Sequence, residues 1–109
     1  MSKIIYKYPM PAGGVAVRKM PQGFKPLSVG LDPQGVICLW AEVDTQAPPV
    51  RVAFVGVGTG WEFNTLTPNS DSWKYIGTVN DGAFYIWHYY YTMEVPENDR
   101  DSKCSQGYC

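Results

Sequence analysis

The sequence lacks any apolar segment long enough to cross a bilayer as a helix, which takes roughly 20 consecutive apolar residues. It also lacks clusters of charge: nine Lys and Arg residues are scattered along the chain, and the formal net charge is −1. Binding of DNA or RNA draws on clustered cations. We therefore expect neither a membrane protein nor a binder of nucleic acid polymers.

Groups that bind metals or act as nucleophiles are scarce. Cys104 and Cys109 lie in a polar segment with no histidine beside them, which argues against a zinc site. Cys38 occurs in an apolar run and is expected to be a small buried side chain in a reducing cytoplasm. His88 is the single histidine, and no nucleophile motif accompanies it. The sequence favours a non-enzymatic protein without metal or cofactor, and a small hydrolase that uses His88 is the alternative.

Short β-type runs separated by Gly and Pro make up most of the chain. Seven strands are predicted: Lys3–Tyr8, Gly14–Lys19, Pro26–Leu31, Val36–Val43, Val50–Val57, Lys74–Val79 and Ala83–Thr92. The segments Asp32-Pro33-Gln34-Gly35 and Asn80-Asp81-Gly82 carry turn residues and predict hairpins. No helical period is present. We expect an all-β fold, either a small antiparallel sandwich or a partly open barrel of about seven strands.

Two segments fall outside this strand pattern. Residues 61–73 form the longest break, and loops of that length are functional or mobile. Residues 94–109 are polar and acidic, with four acidic and two basic side chains. We predict one β domain over residues 1–93 and a disordered polar tail over residues 94–109.

The aromatic residues exceed what a core of this size can hold. Strand alternation places Tyr85, Trp87, Tyr89 and Tyr91 on one face and Phe84, Ile86, His88 and Tyr90 on the other. Because both faces cannot be exposed without aggregation, one face is expected in the core. The other is expected against a partner subunit, the 61–73 loop or a ligand, and a homo-oligomer is predicted.

A glycine-rich segment, Gly56-Val57-Gly58-Thr59-Gly60, follows directly on a strand and precedes Trp61. It resembles a dinucleotide-binding fingerprint only in spacing, since no helix begins after it. A strand corner or bulge is one interpretation. Exposed N–H groups that a ligand could approach are the other.

Several strings resemble a family of small uncharacterised proteins encoded by tailed bacteriophages. They are Ile5-Tyr6-Lys7-Tyr8-Pro9, Met20-Pro21-Gln22-Gly23, Leu27-Ser28-Val29, Cys38-Leu39-Trp40-Ala41-Glu42-Val43-Asp44, Gly58-Thr59-Gly60, Tyr75-Ile76-Gly77-Thr78 and Trp87-His88. The similarity covers roughly residues 4–91. It departs at Trp61-Glu62, where the family usually has His-Pro, and in the added polar tail. The resemblance implies a phage accessory protein that acts in the host cytoplasm.

Proteins of this kind often look like counter-defence factors, which gives two hypotheses. In the first, the protein sequesters a nucleotide-type immune signal, cyclic or linear, at a site between subunits. Its predicted ligand-binding residues are Arg51, Gly58, Thr59, Gly60, Trp61, Trp87 and His88, with symmetry-related Arg51 or Arg18 side chains adding positive charge. In the second, the aromatic surface binds and inhibits a host defence protein.

Overall fold

Seven antiparallel strands make up the computed structural model, which describes residues 2–63 and 72–93. They are β1 Lys3–Pro9, β2 Gly14–Pro21, β3 Lys25–Leu31, β4 Ile37–Asp44, β5 Pro49–Gly58, β6 Lys74–Asn80 and β7 Ile86–Met93. Each predicted strand is present, with its ends shifted by at most three residues. The all-β prediction is confirmed. The predicted tail, residues 94–109, lies outside the described residues.

The strands form two sheets. The first has the order β1-β4-β3 and the second the order β2-β5-β7-β6. Both predicted hairpins are found, since β3 pairs with β4 and β6 pairs with β7. Within the described ranges, no helix is long and apolar enough to span a membrane.

The core lies between the two sheets and follows the period-2 alternation of the strands. In β4, Ile37, Leu39, Ala41 and Val43 are buried in this core, as their spacing predicts. From the second sheet, β5 contributes Val52 and Phe54, and β7 contributes Trp87 and Tyr89. The prediction that one face of the aromatic strand packs inside is therefore confirmed.

Close approach of the two sheets requires glycine at one position between β3 and β6. A Cβ atom at Gly77 would lie 2.9 Å from Cγ1 of Val29. The register of β6 against β7 also shifts between Tyr75 and Gly77, as in a β-bulge. The bulge and the missing side chain together let β6 pack against β3.

Tyr89 ties the second sheet to the β1–β2 connection. Its buried hydroxyl donates a hydrogen bond to the carbonyl oxygen of Pro11 at 2.5 Å. The ring lies over Gly56, where a Cβ atom would be 2.8 Å from Cε1. Burial, assisted by the negative charge of Asp81, raises the pKa of Tyr89 to about 12.

A buried carboxylate organises the turn between β3 and β4. Oδ1 of Asp32 accepts hydrogen bonds from the amides of Gln34 and Val36, both at 2.9 Å. Its Oδ2 accepts one from Nζ of Lys7 at 2.9 Å, and the thiol of Cys38 lies 3.8 Å away. The Val36 amide and then Lys7 lower the pKa of Asp32, so that it is ionised. The single carboxylate thus joins β1, the turn and β4.

Cys38 is buried, as predicted, on the side of β4 that faces away from the main core. Burial raises the pKa of its thiol, and the nearby charge of Asp32 adds to the effect. The thiol is therefore held in its neutral form, which is the less reactive one.

Removing the Tyr89 hydroxyl tests its role. Tyr89→Phe is expected to lower the free energy of unfolding at pH 8 by about 1–2 kcal/mol, because the Pro11 carbonyl loses a buried donor. In the unfolded chain a tyrosine ionises near pH 10, whereas Tyr89 in the folded protein ionises at about 12. Its contribution is thus complete below pH 10 and is lost as the pH rises towards 12, by roughly 2–3 kcal/mol.

Urea unfolding at pH 8, 10 and 11.5 measures this difference. The wild-type protein should lose stability more steeply than Tyr89→Phe over this range. The control is Tyr85→Phe, which changes an exposed tyrosine and should follow the wild type. Parallel pH profiles for wild type and Tyr89→Phe would contradict the assignment.

The Asp32 carboxylate gives a second prediction. Asp32→Ala should lower the melting temperature more than Lys7→Ala does. Loss of the buried carboxylate, which is 5% exposed, leaves two amides and a cation without their acceptor. The Lys7 side chain is 42% exposed, so its removal costs less. The lowered pKa means that the stabilisation is present above the ordinary Asp pKa and is lost as the pH falls through the folded value. Thermal unfolding at pH 7 and pH 3 checks this. Asp32→Asn keeps the Oδ1 acceptor but has no charge to lose, so its melting temperature should fall less between pH 7 and pH 3 than that of the wild type.

Candidate functional site

The glycine-rich segment ends β5 in a tight turn. The amide of Trp61 donates to the carbonyl oxygen of Gly58 at 3.0 Å, and Gly60 has φ of 91°. A positive φ at the third residue is typical of a type II turn, which favours glycine there. The amide of Thr59 donates to the carbonyl oxygen of Ile86 at 3.2 Å. This segment is therefore a strand corner, and the amides of Thr59 and Trp61 are already used.

The turn folds Trp61 back over the end of the sandwich. A Cβ atom at Gly58 would lie 2.8 Å from Cε2 and Nε1 of the Trp61 indole. The rings of Trp61 and Trp87 meet edge to face, with their centroids 5.3 Å apart. A Cβ atom at Gly13 would lie 3.3 Å from both indoles. Trp61 thus closes the end of the core, although 45% of its surface is exposed.

Trp87 is the buried centre of this cluster. It is 6% exposed, and its ring contacts Tyr85 at a centroid distance of 5.2 Å as well as Trp61. Its indole N–H donates to Oδ2 of Asp81 at 3.1 Å. Because it is almost wholly buried, Trp87 supports the surface and is not positioned to stack on a ligand.

Asp81 fixes the loop between β6 and β7. Its Oδ1 accepts hydrogen bonds from the amides of Ala83 at 2.8 Å and Tyr85 at 3.3 Å, while Oδ2 accepts the Trp87 indole N–H. These donors, the Ala83 amide first, lower the pKa of Asp81 and keep it ionised. The loop is therefore ordered by one carboxylate that also reaches into the core.

This ordered loop displays two aromatic side chains, one of which, Tyr85, contacts Trp87 as Trp61 does. Phe84 is 93% exposed and Tyr85 is 50% exposed. We call the exposed side chains of Trp61, Phe84 and Tyr85 the aromatic end. A display of this kind on a fixed loop is unusual for residues that normally avoid water.

His88 lies on the opposite face of the second sheet, in a chain of hydroxyl groups. Its Nε2 is 2.6 Å from Oγ1 of Thr59, and its Nδ1 is 3.1 Å from Oγ1 of Thr78. Oγ1 of Thr78 is in turn 2.5 Å from the hydroxyl of Tyr75. Hydroxyls both donate and accept, so each ring nitrogen of His88 can act as a donor or as an acceptor in this chain.

The predicted ligand-binding residues are divided by the structure into three places. Gly58, Gly60 and Trp61 form the turn at the aromatic end, and Trp87 is buried beneath it. Thr59 and His88 contact each other on the outer face. Arg51 is seven residues before Gly58 on β5, roughly 23 Å along an extended strand. Within one chain, therefore, the predicted residues do not form a single pocket.

The outer face of β7 meets the beginning of the 61–73 segment. The ring of Tyr90 lies 4.7 Å from that of Phe63 and 5.3 Å from that of Tyr75, measured between centroids. At the other end of the segment, the Thr92 hydroxyl donates to the carbonyl oxygen of Ser72 at 3.0 Å. Of the expected partners for this face, the loop is the one that the structure shows, and residues 64–71 lie outside the described ranges.

Sequence reasoning missed the residues that organise both places. The sequence pattern predicts Phe84 in a strand, yet β7 begins at Ile86 and leaves Phe84 in the loop. Asp81 was assigned to a turn without a partner, and its contact with Trp87 joins residues six apart. Spacing alone gave no signal for Tyr75 and Thr78, because residues three apart on a regular strand point to opposite faces, and the bulge between Tyr75 and Gly77 is what brings both to the face of His88.

The model of one protein family matches residues 1–99, and it is described as a domain of unknown function, DUF7352. The chain belongs to this family. No curated protein and no solved structure matches it. In the described ranges, no group of three or more His, Cys, Asp or Glu side chains is arranged to hold a metal ion.

The contact of Trp61 with Gly58 can be tested by adding one methyl group. Gly58→Ala is expected to displace the Trp61 ring, shift the tryptophan emission to longer wavelength and cost about 1 kcal/mol of stability, the order of an aromatic pair. Fluorescence and urea unfolding provide the measurements. In a Trp61→Ala background the same change should have little effect. An unchanged spectrum in the otherwise wild-type protein would refute the contact.

Proposed function

We propose that this protein is a non-enzymatic binding protein whose aromatic end contacts a partner protein. The observation that carries the proposal is Phe84, which is 93% exposed on a loop fixed by the Asp81 hydrogen bonds. Aromatic side chains are enriched at the centres of interfaces, where they fill pockets of the partner. A loop that is ordered before binding loses less conformational entropy on association, which favours affinity.

The biological setting of the proposal comes from the phage-like sequence strings. They favour a protein that acts in the cytoplasm of an infected bacterium and inhibits a host defence enzyme by covering part of its surface. The predicted homo-oligomer stays a prediction. An assembly that leaves the aromatic end exposed is compatible with this role.

Sequestration of a nucleotide-type signal is the second candidate, and the outer face supports it. There the exposed ring of Tyr75 lies beside the hydrogen-bonding chain of Thr78, His88 and Thr59. A base could stack on the ring, and its polar edge could meet the hydroxyls. The position of Arg51 counts against this candidate, because a phosphate near His88 would lie far from that guanidinium within the same chain.

Affinity capture from a bacterial lysate, followed by binding measurements on the purified complex, tests the first candidate. Phe84→Ala is expected to weaken a specific one-to-one complex at least tenfold, or about 1.4 kcal/mol, as for an interface anchor. Tyr85→Ala should weaken it as well. Tyr6→Ala is the matched control, because Tyr6 is also 50% exposed but lies on β1 in the other sheet. A complex that is equally tight in all variants would contradict the assignment.

A thermal-shift panel tests the second candidate. Cyclic dinucleotides and trinucleotides, linear nucleotides and ADP-ribose derivatives are added to the purified protein. A ligand at a thousandfold excess over its dissociation constant stabilises the folded state by about 4 kcal/mol, which is a shift of many degrees. A selective shift that His88→Ala removes would favour sequestration over protein binding.

A further inference from the structure

The charge around the aromatic end has one sign. Three segments build this end of the sandwich: residues 10–14, 58–63 and 80–87. Together they contain two acidic residues, Glu62 and Asp81, and no Lys or Arg. Asp81 keeps its negative charge, since its partners are neutral N–H groups that stabilise the carboxylate without cancelling it. Glu62 directly follows Trp61 and is exposed.

Three cations on the strands that enter this end are held by other groups or lie at the far end of a strand. Arg18 is four residues beyond Gly14 on β2, and its guanidinium donates to the carbonyl oxygen of Pro9 at 3.3 Å, one residue before the first of the three segments. Lys74 is at the far end of β6. Lys7 is held by Asp32. Among the described residues, the three segments of the aromatic end therefore carry two acidic side chains, exposed π-systems and no cation of their own.

We infer that the aromatic end recognises an arginine-bearing segment of the partner protein. This inference rests on the proposed function and specifies the chemistry of its partner. An arginine guanidinium is attracted to the faces of Trp and Tyr rings, and it stacks on them better than a lysine ammonium does. Trp61 and Tyr85 both expose about half of their surface, and both contact Trp87.

The acidic residues add to the same preference. A carboxylate at Glu62 and one at Asp81 give the surface a negative potential that attracts a cation and repels an anion. Phe84, in contrast, offers an apolar surface with which the aliphatic part of an arginine or a neighbouring apolar residue can pack. A segment that alternates arginine with an apolar residue matches both parts.

An anionic ligand fits this end poorly. A phosphate placed at the aromatic end would meet two carboxylates and no described cation within the three segments. The second candidate function therefore belongs to the outer face, around His88, and the two places can be tested separately.

Short capped peptides provide the test with the intact protein. The probes are Gly-Arg-Leu-Arg-Gly and the three peptides in which both arginines are replaced by Lys, Gln or Glu. Binding is followed by tryptophan fluorescence and by the indole N–H signals in NMR spectra, at low and at high salt. We expect the arginine peptide to bind about tenfold more tightly than the glutamine peptide, the order of two exposed cation–π contacts.

Variants assign the binding to the aromatic end. Tyr85→Ala and Glu62→Gln should each weaken binding of the arginine peptide by about threefold, whereas Tyr6→Ala and Glu42→Gln, on the first sheet, should leave it unchanged. Added salt should weaken binding to the wild type and have less effect on Glu62→Gln. Circular dichroism confirms that each variant is folded.

Three results would overturn the inference. They are equal affinity for the arginine and glutamine peptides, tighter binding of the glutamate peptide, and no binding of any peptide up to about 10 mM, which corresponds to a negligible interaction. None of these contradicts the proposed function, which fails only if the captured partner is insensitive to Phe84→Ala. The two failures are therefore distinguishable.

Discussion

β7 has a hydrogen-bonded neighbour on each side, β5 and β6, and this double pairing constrains the rest of the structure. An inner strand directs its side chains alternately to the two faces of the sheet. Unlike an edge strand, it cannot twist away from its neighbours, so the side chains on both faces must be accommodated. Trp87 and Tyr89 enter the core, while His88 and Tyr90 meet the outer face. The hydroxyl of Tyr89, the indole of Trp87 and the imidazole of His88 then determine which loops are anchored and where.

The fold was predictable because its signal is local. Alternation in β4 and β7 identifies the buried face directly, and Gly and Pro mark the ends of the strands. The site was less predictable because its signal depends on turns. The turn at Gly58–Trp61 sends Thr59 to the outer face and Trp61 to the core end, although they are two residues apart. Arg51 is on the same strand as Gly58. The length of that extended strand alone keeps it away from the other predicted ligand-binding residues.

The glycine-rich segment has a different role in the structure from the one that its sequence suggests. Three alternate glycines look like a place where a ligand approaches the backbone. In the structure, the ring of Tyr89 occupies the space beside Gly56, and that of Trp61 the space beside Gly58, while Gly60 has the positive φ of the turn. The protein's own aromatic rings take the positions that a ligand would need.

The aromatic end is assembled from three segments that are distant along the chain: the β1–β2 connection, the end of β5 and the β6–β7 loop. Pro11, Trp61 and Asp81 are brought together through Tyr89 and Trp87 of β7, which requires the second sheet to have formed. A partner that recognises this surface therefore distinguishes the folded molecule from its unfolded or nascent chain. By mass action, such a partner would also protect the protein from unfolding, so that its lifetime in a cell would be coupled to the abundance of its target.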